Sequence, residues 1–84
     1  MNAICADCDK DTMPWPRHAG QWEYYMVHDR LWAKAGMGDG YLCIGCLEDR
    51  LGRRLSALDF TDVRINRPDD LWHTPRLLSR LMCR

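Results

Sequence analysis

The chain has 84 residues, of which 46% are hydrophobic and 29% charged, a mixture that argues against wholesale disorder and, at this length, against a second domain. Its twelve Lys/Arg and twelve Asp/Glu cancel to a formal charge of zero, so it lacks the basic excess of domains that live on phosphate backbones. Without a run of roughly 18 apolar residues or the basic and apolar regions of a secretory signal, the expected compartment is the cytoplasm, with no membrane contact.

Cys5-Ala6-Asp7-Cys8 opens the chain as a knuckle, and the polar run that follows, through Pro14-Trp15-Pro16, reads as a loop. Residues 21–27 are aromatic-rich and partly alternating, which predicts a strand. His28-Asp29 then opens a helix over 29–35, with Asp29 near its positive end and Gly36 as its stop. Residues 36–40 form a turn cluster, and Tyr41-Leu42 leads as a short strand into Cys43-Ile44-Gly45-Cys46. Leu47, Leu51, Leu55 and Leu58 recur at helical spacing, predicting a helix over 47–55 in which Gly52 is the weak point. Residues 56–59 are a cap that starts a second short turn. Residues 62–66 alternate and read as an edge strand before Pro68. Finally, Thr74-Pro75 is an N-cap followed by proline at the first helical position, opening an amphipathic helix with Leu77, Leu78, Leu81 and Met82 on one side.

The two C-x-x-C pairs, Cys5/Cys8 and Cys43/Cys46, are separated by 34 residues. Where thiols are kept reduced, such pairs point to metal ligation rather than disulfides. Each turn presents two sulfurs at a separation that suits Zn–S bonds of about 2.3 Å, and two turns complete a four-cysteine shell. The expectation is one structural Zn2+ held by Cys5, Cys8, Cys43 and Cys46. An iron–sulfur centre or a redox dithiol is the alternative for the same residues. A closed four-thiolate shell leaves no position for a substrate water, so the chain is expected not to be an enzyme. Gly45, just before the last ligand, is the expected place for left-handed backbone. Cys83, near the end of the chain, is expected to be a bystander.

An N-terminal knuckle, a short hairpin and a helix bearing the second ligand pair, over roughly residues 3–55, resemble a treble-clef zinc finger. The resemblance implies an α+β fold, with an extra helix at 29–35 added to the minimal pattern and a C-terminal strand and amphipathic helix over 60–84. The whole of 1–84 then reads as one zinc-binding domain. Tyr25-Met26-Val27-His28-Asp29-Arg30-Leu31-Trp32 and Gly40-Tyr41-Leu42-Cys43-Ile44-Gly45-Cys46-Leu47-Glu48-Asp49-Arg50-Leu51-Gly52 are also similar to a family of small zinc-binding proteins encoded in bacterial and phage genomes, which implies no particular activity. Treble clefs form the core of HNH-type nucleases too, where a histidine at the hairpin activates water. His28 falls at that place, but residues 47–55 hold neither the asparagine nor the histidine of the nuclease pattern. His28 is therefore expected to cap the 29–35 helix or pack beside the zinc, and His18 and His73 to face solvent.

Four tryptophans and three tyrosines exceed what so small a core encloses, so some reach the surface. Trp15, held between two prolines, either anchors a partner or folds back over the knuckle. Trp15, Trp22, Leu77 and Leu81 are thus candidate contacts for a protein partner or a second copy of the chain. In the phage-like setting that the family resemblance implies, that partner would be a host enzyme or defence component. Residues 50–84 hold eight Arg against four Asp, so a nucleic-acid face built on Arg50, Arg53, Arg54 and their neighbours is the alternative. A metal-dependent nuclease using His28 is the third reading.

Overall fold

The structure, a computed structural model, describes residues 3–14, 19–37, 40–68 and 71–83. Among them lie three helices, α1 (Asp29–Lys34), α2 (Ile44–Leu51) and α3 (Pro75–Leu81), and two single 3-10 turns, Ala57–Asp59 and Arg64–Asn66. Strand pairing among the described residues is reduced to isolated bridges: Ile4 with Asp11 and Val27 with Phe60 antiparallel, Cys5 with Tyr41 and Trp22 with His73 parallel. The helices of the expected α+β fold are present, but its strands are overdrawn.

Residues 22–27 show why. Between the bridges at Trp22 and Val27, where the backbone meets Thr12 O and Thr61 N only at single points, two side chains supply the pairing of residues 25 and 26 that a neighbouring strand would give. The Tyr41 hydroxyl accepts from Tyr25 N at 2.5 Å and donates to Tyr25 O at 2.8 Å. The Asn66 amide accepts from Met26 N at 2.9 Å and donates to Met26 O at 2.7 Å. The backbone groups are satisfied, as burial demands, without a ladder. The same arrangement overturns the edge strand expected at 62–66: Arg64–Asn66 coils as a 3-10 turn, and its last residue turns a buried amide onto residue 26.

Helix α1 carries Asp29 in its first turn and Lys34 in its last, both favourable to the helix dipole, and buries Leu31. Helix α2 begins earlier and ends earlier than leucine spacing predicts. Gly52 takes a left-handed conformation (φ 74°, ψ 20°), and its N–H returns to Glu48 O at 2.8 Å, a terminus that glycine reaches without a Cβ penalty. Leu55 is buried although the helix has already ended, and Leu58 is 82% exposed. Helix α3 starts as expected, with the Thr74 hydroxyl accepting from Leu77 N at 3.1 Å and Pro75 at the first position.

One cluster of buried side chains joins Cys5 and Cys43 to Tyr25, Val27, Leu31, Leu42, Ile44, Leu47, Leu55, Phe60, Leu77 and Leu81. Leu77 and Leu81, expected as a partner surface, are instead core residues. Each side chain of this size contributes roughly 1.5–3 kcal/mol when fully buried, and so short a chain has few other places to find that burial. Two ion pairs, Arg76 to Glu23 and Arg80 to Glu48, hold α3 in place beside them.

Candidate metal centre

The first cysteine pair sits in a turn closed by its own backbone. Cys5 N donates to Lys10 O at 2.8 Å, Asp9 N to Cys5 O at 2.9 Å, and Thr12 N to Ala3 O at 3.0 Å. The left-handed residue of this turn is Asp9 (φ 62°), a residue type that tolerates that region better than most. Gly45, the residue expected in that region, lies instead inside α2. The second pair is brought alongside by Tyr41, which bridges Cys5 and accepts from Ala6 N at 2.8 Å. Cys43 is the N-cap of α2, and Cys46 stands in its first turn.

The sulfurs of Cys5, Cys8, Cys43 and Cys46 lie within 4.8 Å of one another, and no disulfide joins them. The Cys8 and Cys43 sulfurs are 3.7 Å apart. A tetrahedron with Zn–S bonds of about 2.3 Å has an edge of about 3.8 Å, so the cluster already has the dimension of a four-thiolate site. Burial pushes the Cys43 thiol up, and it pushes Cys46 up together with the sulfurs of Cys43, Cys5 and Cys8. At Cys5 burial acts the same way, but hydrogen bonds from the backbone at Cys43, Asp7 and Cys8 outweigh it and bring the thiol down to about 7. Four such sulfurs cannot all ionise side by side without a cation between them. A soft divalent ion fits this donor set, and Zn2+ fits its size and number.

Two guanidinium groups flank the cluster. Arg76 is kept charged first by Glu23 and then also by the Cys43 sulfur, and Arg50 first by Asp7 and then by Cys46 and Cys5. Each is also paired with a carboxylate, Arg76 with Glu23 and Arg50 with Asp7, so the two groups bring no net charge to the cluster. Gly45 makes the approach of Arg76 possible: a Cβ at that position would meet Arg76 Nη1 at 2.7 Å.

Sequence reasoning missed the carboxylate behind this arrangement. Glu23, 2% exposed, accepts from Ile44 N at 2.8 Å, Thr74 Oγ1 at 2.8 Å, Arg76 Nε at 3.2 Å and Arg76 Nη2 at 2.5 Å. Cys43 provides no side-chain cap to α2, and Glu23 serves the orphan N–H of Ile44 instead. Burial raises its pKa, but Arg76, Thr74 and the Ile44 N–H more than reverse this and hold it below the usual carboxylate range. Alternation could have flagged it, since Glu23 shares parity with the buried Tyr25 and Val27. Glu48 works similarly farther along α2, accepting from Leu55 N at 2.8 Å and from Arg80 at 2.7 and 3.1 Å.

The remaining candidates separate. Arg50 grips Asp7 at 2.9 and 2.7 Å, and Arg53 grips Asp59 at 2.8 and 2.9 Å. Arg54 is exposed and makes no ion pair among the described residues. Trp22 is half-buried, with its indole N–H donating to Pro14 O at 3.0 Å and its ring 6.4 Å from that of Trp72. Trp15 and His18 lie outside the described residues. His73, expected at the surface, is 2% exposed, with neither ring nitrogen hydrogen-bonded among the described residues. His28 is the N-cap residue of α1 but makes no side-chain cap. Cys83 is exposed.

No family model, curated protein or solved structure matches the chain. No described helix is long and apolar enough to cross a membrane.

Proposed function

We propose that the protein is a binding module folded around one structural Zn2+, held by Cys5, Cys8, Cys43 and Cys46, and that it acts by contacting another protein rather than by catalysis. The observation that carries this reading is the closed set of four sulfurs within 4.8 Å of one another, which fills a tetrahedral shell and leaves no position for reacting water. The treble-clef reading is supported by the order of the parts: a knuckle, the approach through Tyr41, and a helix whose first turn carries the last ligand. A reducing compartment such as the cytoplasm suits four free thiols.

The nucleic-acid reading is weakened because Arg50, Arg53, Arg76 and Arg80 are each engaged by a carboxylate of the same chain. The nuclease reading is weakened because His28 belongs to no group of potential metal ligands among the described residues. Exposed Leu58, Leu71 and Met82 support a contact surface for a protein. Native mass spectrometry of the purified chain at low and moderate salt tests the proposal. One zinc per chain with a bound protein or a second copy supports it. Absence of zinc, or nucleic acid that is lost as salt rises, overturns it.

A further inference from the structure

A cavity of about 450 Å³ opens beside α1, lined chiefly by Tyr24, Met26, Asp29, Trp32, Met37 and Tyr41. The volume is that of a small-ligand site. Its walls are aromatic. The Tyr41 ring lies 5.1 Å from Tyr24 at an interplanar angle of 24°, and 5.7 Å from Trp32 at 52°. The Tyr41 and Trp32 planes thus form a corner rather than a flat stack.

This corner is built before any ligand arrives. The Tyr41 hydroxyl is tied to both backbone groups of Tyr25, and the Tyr25 ring packs against Tyr41 at 5.2 Å and Trp32 at 6.0 Å. Aromatic faces carry negative electrostatic potential, and the thioethers of Met26 and Met37 are polarisable. Asp29 contributes the only ionised side chain among the described lining residues. It is exposed and makes no ion pair or side-chain hydrogen bond among the described residues. No Lys or Arg lines the cavity among those residues. Quadrupoles and a carboxylate of one sign select against anions, and the apolar walls favour a cation whose charge is wrapped in carbon over a fully hydrated ammonium.

We infer that this cavity binds an N-alkylated ammonium group, with its methyl groups against Trp32, Tyr41 and Tyr24 and its charge compensated by Asp29. The group has two sources, a free quaternary ammonium compound or an N-methylated lysine side chain of a partner. The second source rests on the proposed reading of the protein as a protein-binding module.

The test uses the full, zinc-loaded chain and follows amide chemical shifts on titration with choline and with 3,3-dimethylbutanol, its neutral isostere. Choline is expected to produce saturable shifts at residues 24–41 and the isostere to bind at least tenfold more weakly. Asp29→Asn and Trp32→Leu should each weaken choline at least threefold while circular dichroism and zinc content stay unchanged. A peptide carrying trimethyl-lysine, compared with its unmodified lysine form, separates the sources. Tighter binding of the methylated peptide than of choline assigns the group to a protein partner, and equal binding assigns it to a free cation. Absence of saturation up to about 50 mM choline, far above the millimolar Kd of a weak ligand, overturns the inference, as does equal binding of the neutral isostere. Zinc content and bound protein, read on the same sample, report on the binding-module proposal independently of either result.

Discussion

Replacing Glu23 with glutamine keeps the shape of a buried side chain and removes its charge. The carboxylate accepts from the Ile44 N–H, the Thr74 hydroxyl and two N–H groups of Arg76. An amide offers one oxygen and turns an NH2 group toward the donors on its other side, so at least one of them loses its acceptor. The Ile44 N–H begins α2 at a residue that is itself fully buried, so water does not readily replace the lost bond. Hydrogen bonds to charged groups are worth about 1.5–3 kcal/mol each, and removing one partner of a fully buried pair costs about 3–5 kcal/mol. The Arg76 side chain is 41% exposed and can turn to solvent, which places the expected loss near the lower bound, about 2–3 kcal/mol. For a domain of this size that is a fall in Tm of about 10–20 °C. The assay is thermal unfolding by circular dichroism with free zinc fixed and in excess, because metal binding to the native state alone raises Tm by mass action. Asp62→Asn, at an exposed site, serves as the control and should shift stability by no more than about 0.5 kcal/mol. A fall of less than about 4 °C for Glu23→Gln would refute the assignment of Glu23 as the cap of α2 and its tie to Thr74 and Arg76 of α3.

Gly45→Ala tests the Arg76 contact. Alanine normally stabilises a helix interior by about 1 kcal/mol over glycine, but here the added Cβ would lie 2.7 Å from Arg76 Nη1, so the guanidinium must shift and loosen its hold on Glu23. Urea unfolding should show a smaller gain in the native background than in an Arg76→Ala background; equal gains in both would refute the contact. A strong chelator, or Cys46→Ser, should unfold the chain, since structural zinc contributes roughly 10–16 kcal/mol of apparent binding free energy, while Cys83→Ser should leave Tm unchanged. A circular-dichroism spectrum indifferent to the chelator would disprove structural zinc. Acid provides a further check on Glu23, whose pKa is depressed in the folded state. Its contribution is complete above the unfolded value of about 4.3 and is lost as pH falls through the lower folded value. The Tm gap between native protein and Glu23→Gln should therefore stay constant from about pH 7 down to about pH 5, above the unfolded value and where the thiolates still hold zinc, and a gap that already narrows across that range would count against a depressed Glu23.

Features decided by near neighbours were legible in one dimension. The C-x-x-C spacing announced two knuckles, Thr74-Pro75 announced the start of α3, and His28-Asp29 with Gly36 bracketed α1. Leucine periodicity was less faithful, because it counts burial rather than helix: Leu55 is buried after α2 has ended at Gly52. The alternation of residues 21–27 correctly signalled extended chain with one buried parity, and it contained Glu23 within that parity. Alternation says nothing of what pairs with a strand, and here the side chains of Tyr41 and Asn66 share that role with isolated backbone contacts.

By itself, then, the sequence determined the four cysteines that cluster, the starts of α1 and α3 and the buried parity of the extended stretch, since each follows from residue type and short spacing along the backbone. Only the tertiary structure decided where the charges went. Glu23 meets Arg76 across 53 positions and Glu48 meets Arg80 across 32, so an arginine-rich half that looks basic in sequence is largely neutralised in space. The physical reason is that a charge is indifferent to direction until folding brings a counter-charge within about 3 Å and removes the water that would otherwise screen it.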